Sequence, residues 1–282
     1  MKALRSRHVV AFDASGVSGA ALGRGLGTPR VRALALAPLL PGALWPSPFE
    51  PNLRRSEEVA HAAREVARAL RLRDAPVCLV LPDGVARLTD LDVPEGTSPV
   101  SFARYRLAPS LPYPIDEAVV DVLALGGSRV LAAAVRRSVL EGYEAAAAAA
   151  GLAQERVDLS PLGALAALGA SAPAGEPVVD LVLGDAAVSL ACRRGGAVGV
   201  VRNRRRDPSS GEWRRLHAEA DRTAILGGEA PGARMRVVGA GALALVRDMQ
   251  AAGAPAEAGW HVAGEGVPAD GVELAWLGAA LA

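Results

Sequence analysis

A pattern that occurs twice constrains this fold more than any other feature of the sequence. From His8 three short apolar runs alternate with turns, then come a helical period, a buried-strand pattern and another helix. From Val178 the same order starts again. The first set is His8–Phe12, the turn Asp13-Ala-Ser-Gly16, Val17–Leu22 and a strand near Val31–Leu36. The second is Val178–Leu183, Val188–Arg193 and Val198–Arg202, with turns at Gly184-Asp185 and Gly195-Gly196. The repeat is one of pattern, not of sequence identity.

The helices are legible by period. Over Ser56–Leu72, Val59, Ala62, Ala63, Val66, Ala69 and Leu70 recur at three-to-four spacing, with charges on the other face. Ser56 is placed to cap the start, Glu57 and Glu58 suit the helix dipole, and Asp74-Ala-Pro76 stops the helix. Val77–Leu81, bounded by prolines, reads as a strand buried on both faces. Ser98-Pro99 opens a short helix that ends before Pro109. Glu117–Leu125 and Val130–Val135 flank a turn at Gly126-Gly127-Ser128-Arg129. Ser138–Ala150 is a helix with Gly151 as its left-handed cap. A strand at Val157–Leu159 and a helix from Ser160 close the first half, and Ser171–Pro177 is a Pro/Gly-rich boundary. Beyond it come helices over Ser210–Leu226, Ala242–Ala252 and Val272–Ala282, and a strand at Met235–Val238. The expectation is a two-lobed α/β protein: a first lobe over 1–170 carrying a small inserted α+β subdomain at about 82–153, and a second, reduced lobe over 171–282.

Composition removes several functions. Thirty-one Lys and Arg against 30 Asp and Glu leave a net charge of +1, which gives no electrostatic case for nucleic acid. Cys78 and Cys192 lie far apart in apolar runs and read as core residues of a reducing compartment. The start is basic without a signal-peptide apolar core, and no stretch reaches the length of a membrane span, so a cytoplasmic protein without membrane insertion is expected. His8, His61, His217 and His261 pair with no nucleophile signature. Gly23-Arg-Gly25-Leu-Gly27 lacks the strand and helix a dinucleotide turn needs. The Arg202–Arg206 cluster with Arg214 and Arg215 reads either as an anionic-partner surface or as a solvated strand end. Trp213 beside it reads as an anchor or as packing.

The order of shorter stretches resembles a known family. Leu81-Pro-Asp83, Leu91-Asp-Val-Pro94, and Phe102 onward to Leu111-Pro-Tyr-Pro-Ile-Asp-Glu117 with Asp121 in the following strand form one series. Val130–Val135, Tyr143, Ala150-Gly-Leu152, Val157–Leu162, Gly239-Ala-Gly241 and Glu273–Leu281 continue it. The series resembles the type IV pilus assembly protein PilM family, and the cytoplasmic domain of the type II secretion protein GspL is a close second. The resemblance implies an actin-like, ribonuclease-H-like fold and a cytoplasmic protein peripheral at the inner membrane. It also implies docking of a short peptide from a single-span membrane partner (PilN), with a pilus or secretion motor component as a further partner.

The same resemblance implies ATP and Mg²⁺ as ligands, held by two glycine-bearing hairpins and an adenosine-side turn. The nucleotide positions are then Asp13, Ser15 and Gly16, Gly184 and Asp185, and Gly239 and Gly241, with Asp13 holding the metal through water. These positions are eroded: Ser15 replaces a glycine, Gly19 replaces a lysine, and Val182 occupies the second acidic position. A triphosphate left without counter-charge costs roughly several kcal/mol. Weak nucleotide binding and a nucleotide-free scaffold both remain open, and an ATP-hydrolysing enzyme is not expected. Asp13 read by itself is a turn former that bonds its own backbone. For partner docking, Phe102, Tyr105, Leu111, Tyr113 and Ile115 gather in a chain poor in aromatics. They read as a peptide groove, as the subdomain's core, or as both.

Overall fold

The computed structural model describes residues 7–23, 30–170, 175–185, 187–195, 197–207, 209, 211–239, 241–252 and 260–262. In chain order its elements are β1 (His8–Phe12), β2 (Gly16–Gly23), β3 (Arg30–Pro38), α1 (Ser56–Ala69), β4 (Pro76–Leu81), β5 (Ala86–Asp92) and α2 (Pro99–Leu107). Then come β6 (Ala118–Gly126), β7 (Arg129–Arg136), α3 (Arg137–Ala149), β8 (Ala153–Leu159) and α4 (Ser160–Ala170). The rest are β9 (Pro177–Leu183), β10 (Ala187–Arg194), β11 (Ala197–Arg205), α5 (Glu212–Leu226), β12 (Arg234–Gly239), α6 (Ala242–Ala251) and β13 (Trp260–Val262). The last helix expected from sequence lies outside the described residues.

Among the described residues the chain forms two compact units, 7–86 with 135–167 and 87–134 with 168–262. The first contains a sheet of order β3-β2-β1-β4-β8, the second a sheet of order β11-β10-β9-β12-β13. Both sheets run antiparallel through their three hairpin strands and parallel through the remaining pairs. The correspondence extends to irregularities. The pairing slips by one residue between Ala21 and Leu22 in β2, and between Cys192 and Arg193 in β10. The first turn pairs residue 13 with 16 and the second pairs 184 with 187, so the two slips fall at the same station.

In the first unit β4 is apolar and buried along almost its whole length, as a strand between two parallel neighbours must be. Helix α1 lies on the sheet through Val59, Ala63 and Val66. Gly19 makes that approach possible: a Cβ there would stand 2.6 Å from Val66 Cγ1 and 2.9 Å from Leu70 Cδ1. Two details depart from the sequence reading. Arg55, not Ser56, is the N-cap residue, without a side-chain cap bond; instead Glu58 anchors the helix start by accepting from Leu40 N–H at 2.8 Å. The helix also stops at Ala69, before Asp74-Ala-Pro76, because Arg71 turns into the left-handed region at φ 56°.

In the second unit the core gathers Val179, Leu181, Leu190, Met235 and Val237 of the sheet against Leu216 and Ala220 of α5 and Leu245 and Met249 of α6. The same unit holds a three-stranded sheet of order β5-β7-β6 with α2 packed on it. Strand β5 was not foreseen, while Ser98 caps α2 as Ser98-Pro99 predicts, its hydroxyl accepting from Ser101 N–H.

Candidate functional site

The first turn is closed on itself. Asp13 and Gly16 exchange backbone bonds of 2.9 and 3.3 Å, and Asp13 Oδ1 accepts from Ser15 N–H and Ser15 Oγ–H, both at 2.8 Å. That is the local turn bonding open to a short carboxylate. Gly16 is small because its neighbour is close: a Cβ would sit 2.8 Å from Ala37 O. Strand β2, Gly-Val-Ser-Gly-Ala-Ala-Leu-Gly, brings no cation. Beneath the turn Tyr143 is buried, its ring 5.4 Å from Phe12, and it donates to Asn52 Oδ1 at 2.9 Å. Burial, with the charge of Asp13 adding, drives its phenol well above the usual range.

The second turn carries glycine where the first carries Asp13. Gly184 N–H bonds Ala187 O at 2.9 Å, and Gly184 O accepts from Arg206 Nη1 at 2.7 Å. Arg206 is in turn clamped by Glu212, at 2.7 Å to Oε1 and 3.2 Å to Oε2, and both side chains are about nine-tenths buried. Asp185 is exposed. The turn after β12 meets the same arginine: a Cβ on Gly241 (φ 77°) would lie 3.4 Å from Arg206 Nη2. Gly239, at φ 99°, sits flush against β9, where a Cβ would be 2.2 Å from Leu183 O. Gly16 and Gly239 are thus required by the backbone packed against them, and Gly241 by its own left-handed φ. Asp13 Oδ1 accepts twice from Ser15, and among the described residues the guanidinium that reaches the second turn, that of Arg206, is held by a carboxylate. Taken turn by turn, the described residues as they stand do not fit a magnesium-bound triphosphate.

Deeper in the second sheet is an ionic core that sequence reasoning passed over. Asp180 is fully buried and accepts from Arg193 Nε and Arg236 Nε, each at 2.7 Å. Arg236 also donates to Leu168 O at 2.9 Å. Three charges in one core strand group are the only sequence hint, and the pairing appears only once β9, β10 and β12 are laid side by side.

The five residues offered for docking divide. Tyr113 belongs to the core of the small sheet, with Phe102, Leu111 and Ile115 half-buried against it. Tyr105 is 75% exposed on α2. The arginine cluster is largely neutralised: Arg202 and Arg204 pair with Glu219, Arg206 with Glu212, and Arg215 with Asp207. Trp213 packs on the core of the second unit, under the guanidinium of Arg214. Both cysteines are buried and free. No helix of the described residues is long and apolar enough to cross a membrane, and they hold no cluster of metal-ligating side chains.

No protein-family model and no curated protein matches the sequence. Solved structures do. A PilM–PilN type IV pilus biogenesis complex aligns over 98% of both chains with a TM-score of 0.74 at 20% identity. The cytoplasmic domain of EpsL, an inner-membrane component of the type II secretion system of Vibrio cholerae, covers 82% of this chain and 81% of its own, with a TM-score of 0.52 at 15% identity. A protein of unknown function with an actin-like ATPase fold, from Bacteroides thetaiotaomicron, gives 0.55 over 89% of each chain at 9% identity. Taken with the duplicated sheets and their shared register, these likenesses establish that the chain has the actin-like ATPase fold.

Proposed function

We propose that this protein is a scaffold of a type IV pilus or type II secretion-like assembly at the inner membrane, working by docking a short cytoplasmic peptide of a single-span, PilN-like membrane partner. The observation that carries the reading is the second turn, where Arg206 spans Gly184 and Gly241 and is neutralised from within by Glu212. An actin-like fold whose phosphate positions are filled by its own side chains has surface recognition left as its working part. The likeness to a PilM–PilN complex over the full length supplies the kind of partner. Exposed Tyr105, with the rims of Phe102, Leu111 and Ile115, supplies an amphipathic docking edge next to a small rigid sheet. In this reading the protein is held at the membrane by its partners and neither retains nor hydrolyses ATP.

The test is a pair of titrations on the intact protein. One uses the cytoplasmic N-terminal peptide of a single-span, PilN-like membrane protein from the same organism; the other uses Mg-ATP. Peptide binding in the micromolar range, weakened by about tenfold in Tyr105→Ala, with no thermal shift by Mg-ATP, is expected. A micromolar Mg-ATP response that disappears in Asp13→Ala, with no peptide binding, would replace the scaffold by a nucleotide enzyme.

A further inference from the structure

The two sheets end in equivalent outer strands, β3 and β11, and these edges are treated differently. With the turns and the bulges aligned, Leu34 corresponds to Val201 and Leu36 to Asn203. The hydrogen-bonding direction of β3 follows from its neighbours. Asp13 with Gly16, and Leu22 N–H with Arg7 O, show that the even residues of β2 bond to β1. The odd ones therefore bond to β3, at Ala33, Ala35 and Ala37, and Leu39 N–H to Ser15 O at 2.9 Å continues the series. Leu34 and Leu36 are left with their N–H and C=O groups directed outward.

On β11 the corresponding outward N–H, that of Val201, donates to Asp90 Oδ2 at 3.2 Å, and Asp90 is fixed by Arg129. The exposed Arg204 and Arg205 follow on the rest of that edge. Such capping and charging is how proteins stop an edge from pairing. Over Ala33–Ala37 of β3, among the described residues, neither the cap nor the charge is present. Between the bulged Arg32 and Pro38, which lacks an N–H, the strand reads Ala33-Leu34-Ala35-Leu36-Ala37. The segment carries no charge, and Leu34 and Leu36 are 51% and 73% exposed.

We infer that β3 is a self-association strand, and that its occupant is β3 of a second copy of this chain. Laid antiparallel on its own copy, the segment sets leucine against leucine and alanine against alanine, so one patch serves both sides of an isologous pair. With a twofold axis through Ala35, Leu34 faces the partner's Leu36 and Leu36 faces the partner's Leu34. Each outward N–H then meets an outward C=O, and four hydrogen bonds form across the axis. Ala35 opposes its own copy in the close, non-hydrogen-bonded pairing, where a small side chain fits. The two Arg32 residues lie at opposite ends of the seam, so no like charges meet. A charged peptide would find no counter-charge within 33–37, which favours self-pairing over a foreign strand. The bulge and Pro38 end the seam on both sides and hold it to a short, closed dimer rather than a spreading sheet. So short a seam falls below the roughly 1,200 Å² of standard interfaces, and the dimer is accordingly a concentration-dependent one, suited to copies crowded at one place.

The inference is independent of the scaffold reading and is tested on the whole protein by cysteine cross-linking. Both native cysteines are buried. Under mild oxidation Ala35→Cys is expected to give a disulfide-linked dimer, Ala33→Cys not, and Ala33→Cys with Ala37→Cys again to give one, because only those residues face each other in this register. Sedimentation is expected to show a monomer–dimer equilibrium whose dissociation constant rises by about tenfold or more in Leu34→Lys/Leu36→Lys, with circular dichroism unchanged. A wild-type monomer throughout the high-micromolar range, or a dimer that the lysine pair leaves intact, overturns the inference. Cross-linking equally good at Ala33→Cys overturns it too, as does a monomer that links through Ala35→Cys only to the membrane partner's peptide, which would give the edge to that partner.

Discussion

The two five-stranded sheets share strand order, pairing register and even the position of a bulge, and both bury apolar cores, yet at one interior station they carry opposite chemistry. At one station the first sheet pairs Val9 with Cys78, an apolar side chain beside a neutral thiol. The second sheet pairs Asp180 with Arg236 there, and closes the charge with Arg193. At the strand ends the first sheet presents Asp13 and fills behind it with Phe12, Leu81 and Tyr143. The second presents Gly184 and lets Gly239 bring two backbones into contact. The lesson is that the topology constrains backbone direction and register, while the side chains at matching stations are free to take either an apolar or an ionic solution. What the protein can do is decided in that second layer.

The sharpest way to break the comparison is at the ionic station. Asp180→Ala leaves two guanidinium groups buried in the second sheet without a counter-charge, and should cost about 3–5 kcal/mol. Hydrogen exchange should show the loss in β9, β10 and β12, with the first sheet retaining its protection. Transplanting the first sheet's solution, Asp180→Val with Arg236→Cys and Arg193→Leu, removes all three charges together and should recover most of that loss, since replacing a buried ion group by apolar residues is often neutral. An Asp180→Ala protein as stable as the parent would show that the guanidiniums reach water and that the two stations are not alternatives.

A smaller effect is expected at the strand ends. Gly239 corresponds to Leu81, and only the former has a positive φ. Gly239→Ala must relieve both the left-handed backbone and a 2.2 Å approach to Leu183 O, which together should cost about 3 kcal/mol. Chemical denaturation followed through Trp213, which packs on the second core, reads it directly. An unchanged midpoint would mean that β9 and β12 separate easily and that the glycine is there for a ligand instead of for packing.

How far the sequence carried the fold can be seen in particular elements. His8–Phe12, the Asp13–Gly16 turn, the buried β4 and the Gly151 cap at φ 76° follow from local pattern, because each is decided by residues within a few positions of one another. Strand β5 was lost because Ala86–Asp92 alternates only weakly and is half-buried in a small sheet. The early end of α1 depends on Arg71 accepting a left-handed backbone, for which a non-glycine gives no signal. At the site, Asp13 was legible as a turn former. The contacts that decide the chemistry were not: Arg206 with Gly184 lies 22 residues along the chain, and Arg236 with Asp180 lies 56. Long-range side-chain pairing leaves no period to read.

The gentlest probe of the comparison is pH, because the first sheet's station holds a titratable thiol. Burial, reinforced by the charge of Asp158 and opposed by Arg156, pushes Cys78 from 9.0 to about 12. Folded protein therefore keeps this proton under conditions where the unfolded chain, with an ordinary thiol, gives it up. A group raised in this way contributes its full share of stability below pH 9 and loses it as pH climbs toward about 12. Stability measured by denaturation should fall through that window, and Cys78→Ala should flatten the fall in the first sheet. Cys192, raised to about 11 by burial first and by Glu229 next, gives the second unit a smaller fall of the same sign, complete at lower pH. A thiol reagent should accordingly find both cysteines silent at pH 8 in folded protein and reactive on unfolding. Rapid labelling of Cys78 at pH 8 would mean that the station opens to solvent, and that the apolar solution in the first sheet is looser than the ionic one in the second.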